Sequence, residues 1–293
     1  MISVHGFANH DITARELADC LKAPYRPIDV HKFPDGESLI TVPGCARTAI
    51  VFQSLDHPND KLVDLLFSAG AFRDRGAENV MLVAPYLAYM RQDKAFAPGQ
   101  AVSQKIFGSW LAESFSSLVT VSPHLHRVRD LDQVFPGINC KIVPATPIYL
   151  RLIGDVSDNP VLFGPDEESL PQLEALAQVL SLDYVTGVKV RHGDRNIDLT
   201  IPDAIALKGR RVIIVDDVIS SGTTIARSAE LLKAAGSVRV DVAVMHALFD
   251  DTVSALLHRS GVERIASAES IIHPTNATGI AADLASTIEE MLR

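Results

Sequence analysis

The segment that most constrains this chain runs from Val212 to Thr224: Val212-Ile213-Ile214-Val215, then Asp216-Asp217, then Val218-Ile219 and Ser220-Ser221-Gly222-Thr223-Thr224. Four β-branched apolar residues suit a buried parallel strand. Two carboxylates stand where that strand is expected to end, and a turn rich in hydroxyls and backbone N–H groups follows. A helix is expected at once, with Ile225, Ala229 and Leu232 at helical spacing and Gly236 as its stop. Loop amides and a helix N-terminus favour a phosphate, while Asp216 and Asp217 suit sugar hydroxyls or Mg²⁺. A bare phosphate gains nothing from two adjacent carboxylates, so the combination points to a sugar phosphate. Gly222 is expected to leave room for a phosphate that approaches the backbone.

Strands and helices alternate on both sides of the middle of the chain. In the first half the pattern predicts strands over Ala49–Phe52, Val80–Ala84 and Leu118–Val121, with helices over Lys61–Arg75 and about Val102–Phe115. In the second half it predicts a strand at Val161–Phe163, a helix over Leu170–Leu180, strands at Val212–Val215 and Val238–Val244, and a last helix at about Ala281–Leu292. The expected fold is therefore α/β, with two tandem doubly wound, mainly parallel sheets. At 293 residues the chain suits two domains, set at 1–143 and 144–293, with Phe135 to Pro147 as the linker and the last helix free to return to the first domain.

A net charge of −9 disfavours nucleic acid or an anionic membrane as a partner. Cys20, Cys45 and Cys140 are sparse, odd in number and without a CxxC pair, which fits a reducing, cytoplasmic setting. No apolar run approaches the ~18 residues that span a bilayer. The start, Met1-Ile2-Ser3-Val4-His5-Gly6, lacks the parts of a signal peptide.

The Val212–Thr224 segment resembles the ribose-5-phosphate-binding signature shared by type I phosphoribosyltransferases and ribose-phosphate pyrophosphokinases, although the family loop more often reads Asp-Thr-Gly-Gly-Thr. The first half narrows the resemblance to the pyrophosphokinases. Pro85-Tyr86-Leu87-Ala88-Tyr89-Met90-Arg91-Gln92-Asp93-Lys94 resembles the ATP-contacting Pro-Tyr…Arg-Gln-Asp signature of that family, which commonly continues Arg-Lys where Ala95 follows here. Phe33-Pro34-Asp35-Gly36-Glu37 resembles its adenine loop, and an aromatic face beside two carboxylates suits a purine and its exocyclic amine. Gln53-Ser54 and Asn59-Asp60 also match. His124, in Val119-Thr120-Val121-Ser122-Pro123-His124-Leu125-His126, matches the family histidine at the ATP phosphates and their metal, with Ser122 where an Asp is usual. His126 shares a face with His124 if the segment is extended, which leaves a transition-metal pair open beside the oxygen-ligated Mg²⁺ reading.

Gly164-Pro165-Asp166 resembles the family Ser-Pro-Asp turn, whose Asp binds ribose or metal. Glu167-Glu168-Ser169 replaces the following Gly-Gly, and the two glutamates equally suit a helix start. Lys189-Val190-Arg191-His192-Gly193-Asp194-Arg195 reads as a flap, and the family carries a catalytic Lys-x-Arg there.

The resemblance, from about Phe33 to Phe249, implies a Mg²⁺-dependent transferase of nucleotide biosynthesis that moves the diphosphoryl group of ATP to the C1 hydroxyl of ribose 5-phosphate. It implies Lys189, Arg191 and His124 as catalytic residues. It implies Phe33, Asp35, Glu37, Arg91, Gln92, Asp93 and His124 for ATP, with metal at His124 and Asp166. For ribose 5-phosphate it implies Asp166, Asp216, Asp217, Ser220, Ser221, Gly222, Thr223 and Thr224. It further implies a homo-oligomer whose ATP site lies at a subunit interface. A type I phosphoribosyltransferase that consumes PRPP, or a silent regulatory homologue, are the alternatives.

Overall fold

A computed structural model describes the chain except residues 126–127, 129, 193–195 and 201–206, and except the side chains of 188–192 and 196–199. His126 and the Gly193–Arg195 part of the flap lie outside the described residues. Two compact units result: Met1–Pro144 with Gly279–Arg293, and Ala145–Thr278. Pro144 and the C-terminal segment with the last helix belong to the first unit.

In the first unit, β1 (Ile2–Gly6) leads through α1 (Asp11–Cys20) to a hairpin of β2 (Asp29–Lys32) and β3 (Ser38–Thr41). The chain then runs through β4 (Thr48–Phe52), α2 (Leu62–Asp74), β5 (Asn79–Ala84), α3 (Ser103–Ser114), β6 (Ser117–Val121) and β7 (Asn139–Val143). The sheet is parallel, in the order β1-β4-β5-β6-β7. Beyond β1 the segment Pro24 to Ile28 continues the ladder, with Val4 N–H donating to Pro24 O, Arg26 N–H to Val4 O and Ile28 N–H to Gly6 O. The order therefore reverses between β1 and β4, the place where open α/β sheets open a crevice at their carboxyl ends. The C-terminal helix Ala281–Leu292 packs on α1, β6 and β7 and buries Leu284, Ala285 and Ile288.

The proposed linker is not one. Asn139–Val143 is the edge strand β7, and Ala145–Ile153 is a helix, α4, with Pro147 in its first turn. Proline is tolerated there because the N–H it lacks has no intrahelical partner in any case.

The second unit continues with β8 (Val161–Gly164), α5 (Leu170–Leu180), β9 (Tyr184–Thr186), β10 (Val188–His192) and β11 (Asn196–Thr200). It ends with β12 (Arg211–Ile219), α6 (Thr223–Ala234), β13 (Arg239–Ala247), α7 (Asp251–Arg259), β14 (Val262–Ala268) and β15 (Asn276–Thr278). Its sheet is parallel, in the order β15-β14-β13-β12-β8-β9, so its reversal lies between β8 and β12. β10 and β11 form a separate antiparallel ribbon. Both sheets have the doubly wound character expected, each with its own core: Val51, Leu65, Leu82 and Phe107 in the first, Phe163, Ile214, Val242 and Leu232 in the second.

Two buried histidines make the first unit sensitive to acid. His5 lies in β1, where its Nδ1–H donates to Arg26 O (3.0 Å) and its Nε2 accepts from Ser3 Oγ (2.8 Å). Burial lowers its pKa from 6.5 to about 4. His10 is lowered to about 4 as well, by burial and then by the Lys61 charge, against the opposing pull of Asp56. Both folded pKa values lie below the unfolded one, so this stability is complete above pH 6.5 and is lost as pH falls toward 4. Each histidine should cost about 2 kcal/mol of unfolding free energy by about pH 5. Urea unfolding at neutral pH and near pH 5 checks this. His5→Gln should flatten the dependence, and a slope equal to the parent's would remove His5 as a cause.

Candidate active site

In the second unit the site is built at the carboxyl end of β12. The apolar run does not end at Val215 as expected. The strand continues through Asp216, Asp217 and Val218 to Ile219, alongside β13 (Asp216 opposite Val244, Val218 opposite His246, Ile219 opposite Ala247). β8, on the other side, pairs only with Val212–Ile214. β12 therefore outruns one neighbour at the sheet's reversal and presents the acidic pair there, half-buried. Asp216 is held twice. Its Oδ1 accepts from Asp217 N–H (3.0 Å), and its carbonyl accepts from Tyr149 Oη (2.8 Å).

Ser220 and Ser221 form an exposed turn, and α6 begins after Gly222, whose φ of +70° places it in the left-handed region. Gly222 at the N-cap has no side chain with which to cap this helix, and its carbonyl accepts from Ala226 N–H (2.8 Å). Exposed Thr223 and Thr224 follow, so the N–H groups of the first turn and the positive end of the helix dipole face the loop. A strand tip with two carboxylates beside an uncapped helix N-terminus can take hydroxyls on one side and a phosphate on the other.

Gly222 has a further reason besides the one expected. A Cβ there would run into Val253 Cγ1 of α7 and touch Leu257, and the positive φ disfavours any other residue. The glycine is also needed for helix packing, so a bulky substitution reports on folding before it reports on phosphate.

Asp166 follows β8 at the same reversal. Its Oδ1 accepts from Glu168 N–H (3.1 Å), which caps a short 3-10 turn, Glu167–Ser169, ahead of α5. Glu167 and Glu168 thus stand in the first turn of a helical segment, where negative charge is favoured. Lys189 and Arg191 occupy alternate positions of β10, opposite Leu199 and Ile197 of β11; their side chains lie outside the described residues. β11 approaches α6.

In the first unit, Phe33, Asp35 and Glu37 form the exposed tip of the β2–β3 hairpin. Phe33 N–H donates to Glu37 O (2.8 Å), Glu37 N–H to Asp35 Oδ1 (3.2 Å), and Gly36 takes φ +92°. Phe33 is 41% exposed, edge-on to His31. The hairpin is tied to α2 by Lys32 Nζ to Asp64 Oδ2 (2.8 Å).

Arg91, Gln92 and Asp93 lie on the loop after β5, and His124 lies after β6. Three residues with left-handed backbone follow three adjacent strands of this sheet: His57 (φ +48°) after β4, Tyr89 (φ +62°) after β5 and Ser122 (φ +40°) after β6. Strain of this kind concentrates at ligand sites. Buried Gln104 of α3 pins the Arg91–Asp93 loop: its Nε2 donates to Met90 O (3.1 Å), and its N–H to Gln92 O (3.2 Å). Neither Gln104 nor Tyr149 was singled out from the sequence. Gln104 is a polar residue on the buried face of a helical pattern, whereas Tyr149 lies in a helix that the prolines around it conceal.

Among the described residues no three His, Cys, Asp or Glu side chains converge on one metal position. Mg²⁺ keeps several waters and needs only one or two carboxylates besides substrate phosphates. Asp166, Asp216 and Asp217 are oxygen donors of that kind. Among the described residues no helix is long and apolar enough to cross a membrane.

A family model for the N-terminal domain of ribose phosphate pyrophosphokinase matches residues 2–114, and one for the phosphoribosyl transferase domain matches 149–282. A ribose-phosphate pyrophosphokinase of Saccharolobus solfataricus is 34% identical over 278 residues, covering 92% of this chain and 93% of the relative. One from Pyrococcus furiosus is 30% identical over 264 residues, covering 90% and 92%. The crystal structure of phosphoribosylpyrophosphate synthetase from Mycobacterium smegmatis superposes with a TM-score of 0.83 at 23% identity, covering 100% of this chain and 99% of that one, which supports the fold.

Proposed function

Because the chain belongs to the ribose-phosphate pyrophosphokinase family, we propose that it transfers the β,γ-diphosphoryl group of ATP to the C1 hydroxyl of ribose 5-phosphate, giving PRPP and AMP. One observation carries the reading within the structure: β12 outruns β8 and delivers Asp216 and Asp217 next to the uncapped start of α6. Asp216 and Asp217 take the ribose hydroxyls, and the Ser220–Thr224 turn takes the 5-phosphate, with Asp166 beside them at the same reversal. In the first unit Phe33 stacks on adenine, Asp35 and Glu37 accept from it, and Arg91, Gln92 and Asp93 hold the rest of ATP, with His124 at the phosphates.

Diphosphoryl transfer spreads negative charge over phosphate oxygens, so catalysis consists mainly of alignment and cationic stabilisation. Lys189 and Arg191 supply that charge from the β10–β11 ribbon. Asp166 and His124 are the groups proposed to hold Mg²⁺, which would supply positive charge that neutralises part of the charge on the phosphates. The carboxylate of Asp166 suits a hard cation better than the imidazole does. Relatives that match nearly the whole chain disfavour a one-domain transferase. The three cysteines, free in the structure, fit a reducing cytoplasm.

The active form is a homo-oligomer with a shared ATP site. Supporting this, Val63 and Phe67 on α2 and Ile106 and Trp110 on α3 are apolar pairs one turn apart. Phe67 is 54% and Trp110 48% exposed, and the two helices contact each other. The protein should sediment above its chain mass of 31.7 kDa. Phe67→Glu with Trp110→Glu should return it toward that mass and weaken ATP. A parent that is monomeric and fully active excludes the shared site.

The direct test of function is AMP release from ATP with Mg²⁺. It should depend on ribose 5-phosphate. AMP or ADP release that ignores the sugar phosphate, or no turnover at all, overturns the reading.

A further inference from the structure

We propose that Tyr149 is a positioning residue for ribose 5-phosphate: its phenol, through the Asp216 carbonyl, sets where the Asp216 carboxylate meets the sugar. Tyr149 belongs to α4, the helix that stands where a linker was expected, and is 1% exposed. Its Oη crosses 67 positions of sequence to donate to Asp216 O at 2.8 Å. Asp216 is two residues past the last β12 pair with β8, Ile214 with Phe163.

The main chain of Asp216 is therefore held on a stretch that β8 no longer supports, and the carboxylate on the same residue is turned onto Asp217 N–H at 3.0 Å. A shift of the Asp216 peptide moves both carboxylates of the pair. Burial, and then the charges of Asp217 and Asp216, push the Tyr149 phenol well above its usual pKa, so it remains a neutral donor at any working pH. Tyr149 touches no substrate in this account; it acts by fixing the group that does. A backbone placed about an ångström from its productive position is enough to cost catalysis heavily.

The inference rests on the sugar site proposed above, and the experiment separates the two. Tyr149→Phe removes one oxygen and keeps the ring in its pocket. The variant should unfold close to the parent's temperature, keep the parent's KM for ATP, and show a KM and a dissociation constant for ribose 5-phosphate raised about 10-fold, the size of one lost buried hydrogen bond. Replacing the residue with 4-aminophenylalanine, which restores an N–H donor at the same place, should recover most of that loss. A purely structural role would lower the unfolding temperature and leave the ratio of the two KM values unchanged. The proposal is overturned if Tyr149→Phe binds ribose 5-phosphate within about twofold of the parent. It is also overturned if both substrates weaken together, or if the variant cannot fold, since the hydroxyl then serves the fold. If the parent itself does not bind ribose 5-phosphate, the sugar site fails and the role of Tyr149 falls with it, whereas a parent that binds beside an equally tight Tyr149→Phe overturns that role alone.

Discussion

Asp216→Ala should abolish detectable protection by ribose 5-phosphate in a thermal-shift titration while ATP protection persists. A carboxylate that accepts two ribose hydroxyls makes charge-assisted hydrogen bonds of about 1.5–3 kcal/mol each, so the loss should reach about 10²-fold or more in affinity. Asp216 is the better probe than the loop glycine. Its side chain is half-buried on the part of β12 beyond its pairing with β8, whereas a Cβ on Gly222 collides with α7. The Ala variant also loses the 3.0 Å bond to Asp217 N–H, so its unfolding temperature without ligand must be measured alongside. Retention of the parent's response to ribose 5-phosphate would place the sugar elsewhere.

Lys189→Ala and Arg191→Ala should each lower turnover by about 10²–10³-fold, the usual effect of removing a donor aimed at developing charge. The KM for ribose 5-phosphate should change little, because these contacts form mainly in the transition state. Alternate placement on β10, in a ribbon outside the main sheet, suits a pair that acts together. Near-parent turnover in both variants would strip the ribbon of its proposed role.

The parts of the fold that were legible in the sequence share a cause. Leu170–Leu180 and, approximately, Ala281–Leu292 are legible because their apolar residues follow helical spacing. Val212–Val215 was read as a strand because β-branched residues run together, but its continuation to Ile219 was not. Asp216-Asp217 breaks the apolar run, although Val218 and Ile219 resume it and are buried. The first strand and helix were missed because Ile2–Gly6 carries a serine and a histidine whose polar atoms are satisfied by each other and by the backbone. Such pairing is invisible to hydropathy. β7 and α4 were missed because Pro144 and Pro147 read as breakers, although Pro147 falls in a first turn where it breaks nothing.

The same division holds at the site. Asp216, Asp217 and the Ser220–Thr224 turn were legible because their chemistry is local. The tie from Tyr149 spans 67 positions and depends on tertiary packing, as does the hold of Gln104 on the Arg91–Asp93 loop. The packing constraint on Gly222 likewise comes from α7, through tertiary contact and not local sequence.

The central claim is that the β,γ-diphosphoryl group moves intact to C1 of the sugar phosphate. Phosphorus NMR of the reaction of ATP, Mg²⁺ and ribose 5-phosphate tests it most directly. The account predicts two coupled diphosphate resonances on a new phosphoribosyl product, formed in step with AMP, with the 5-phosphate resonance retained. Appearance of ADP with a singly phosphorylated C1, or loss of the C1 diphosphate from added PRPP only when a nucleobase is supplied, would contradict it.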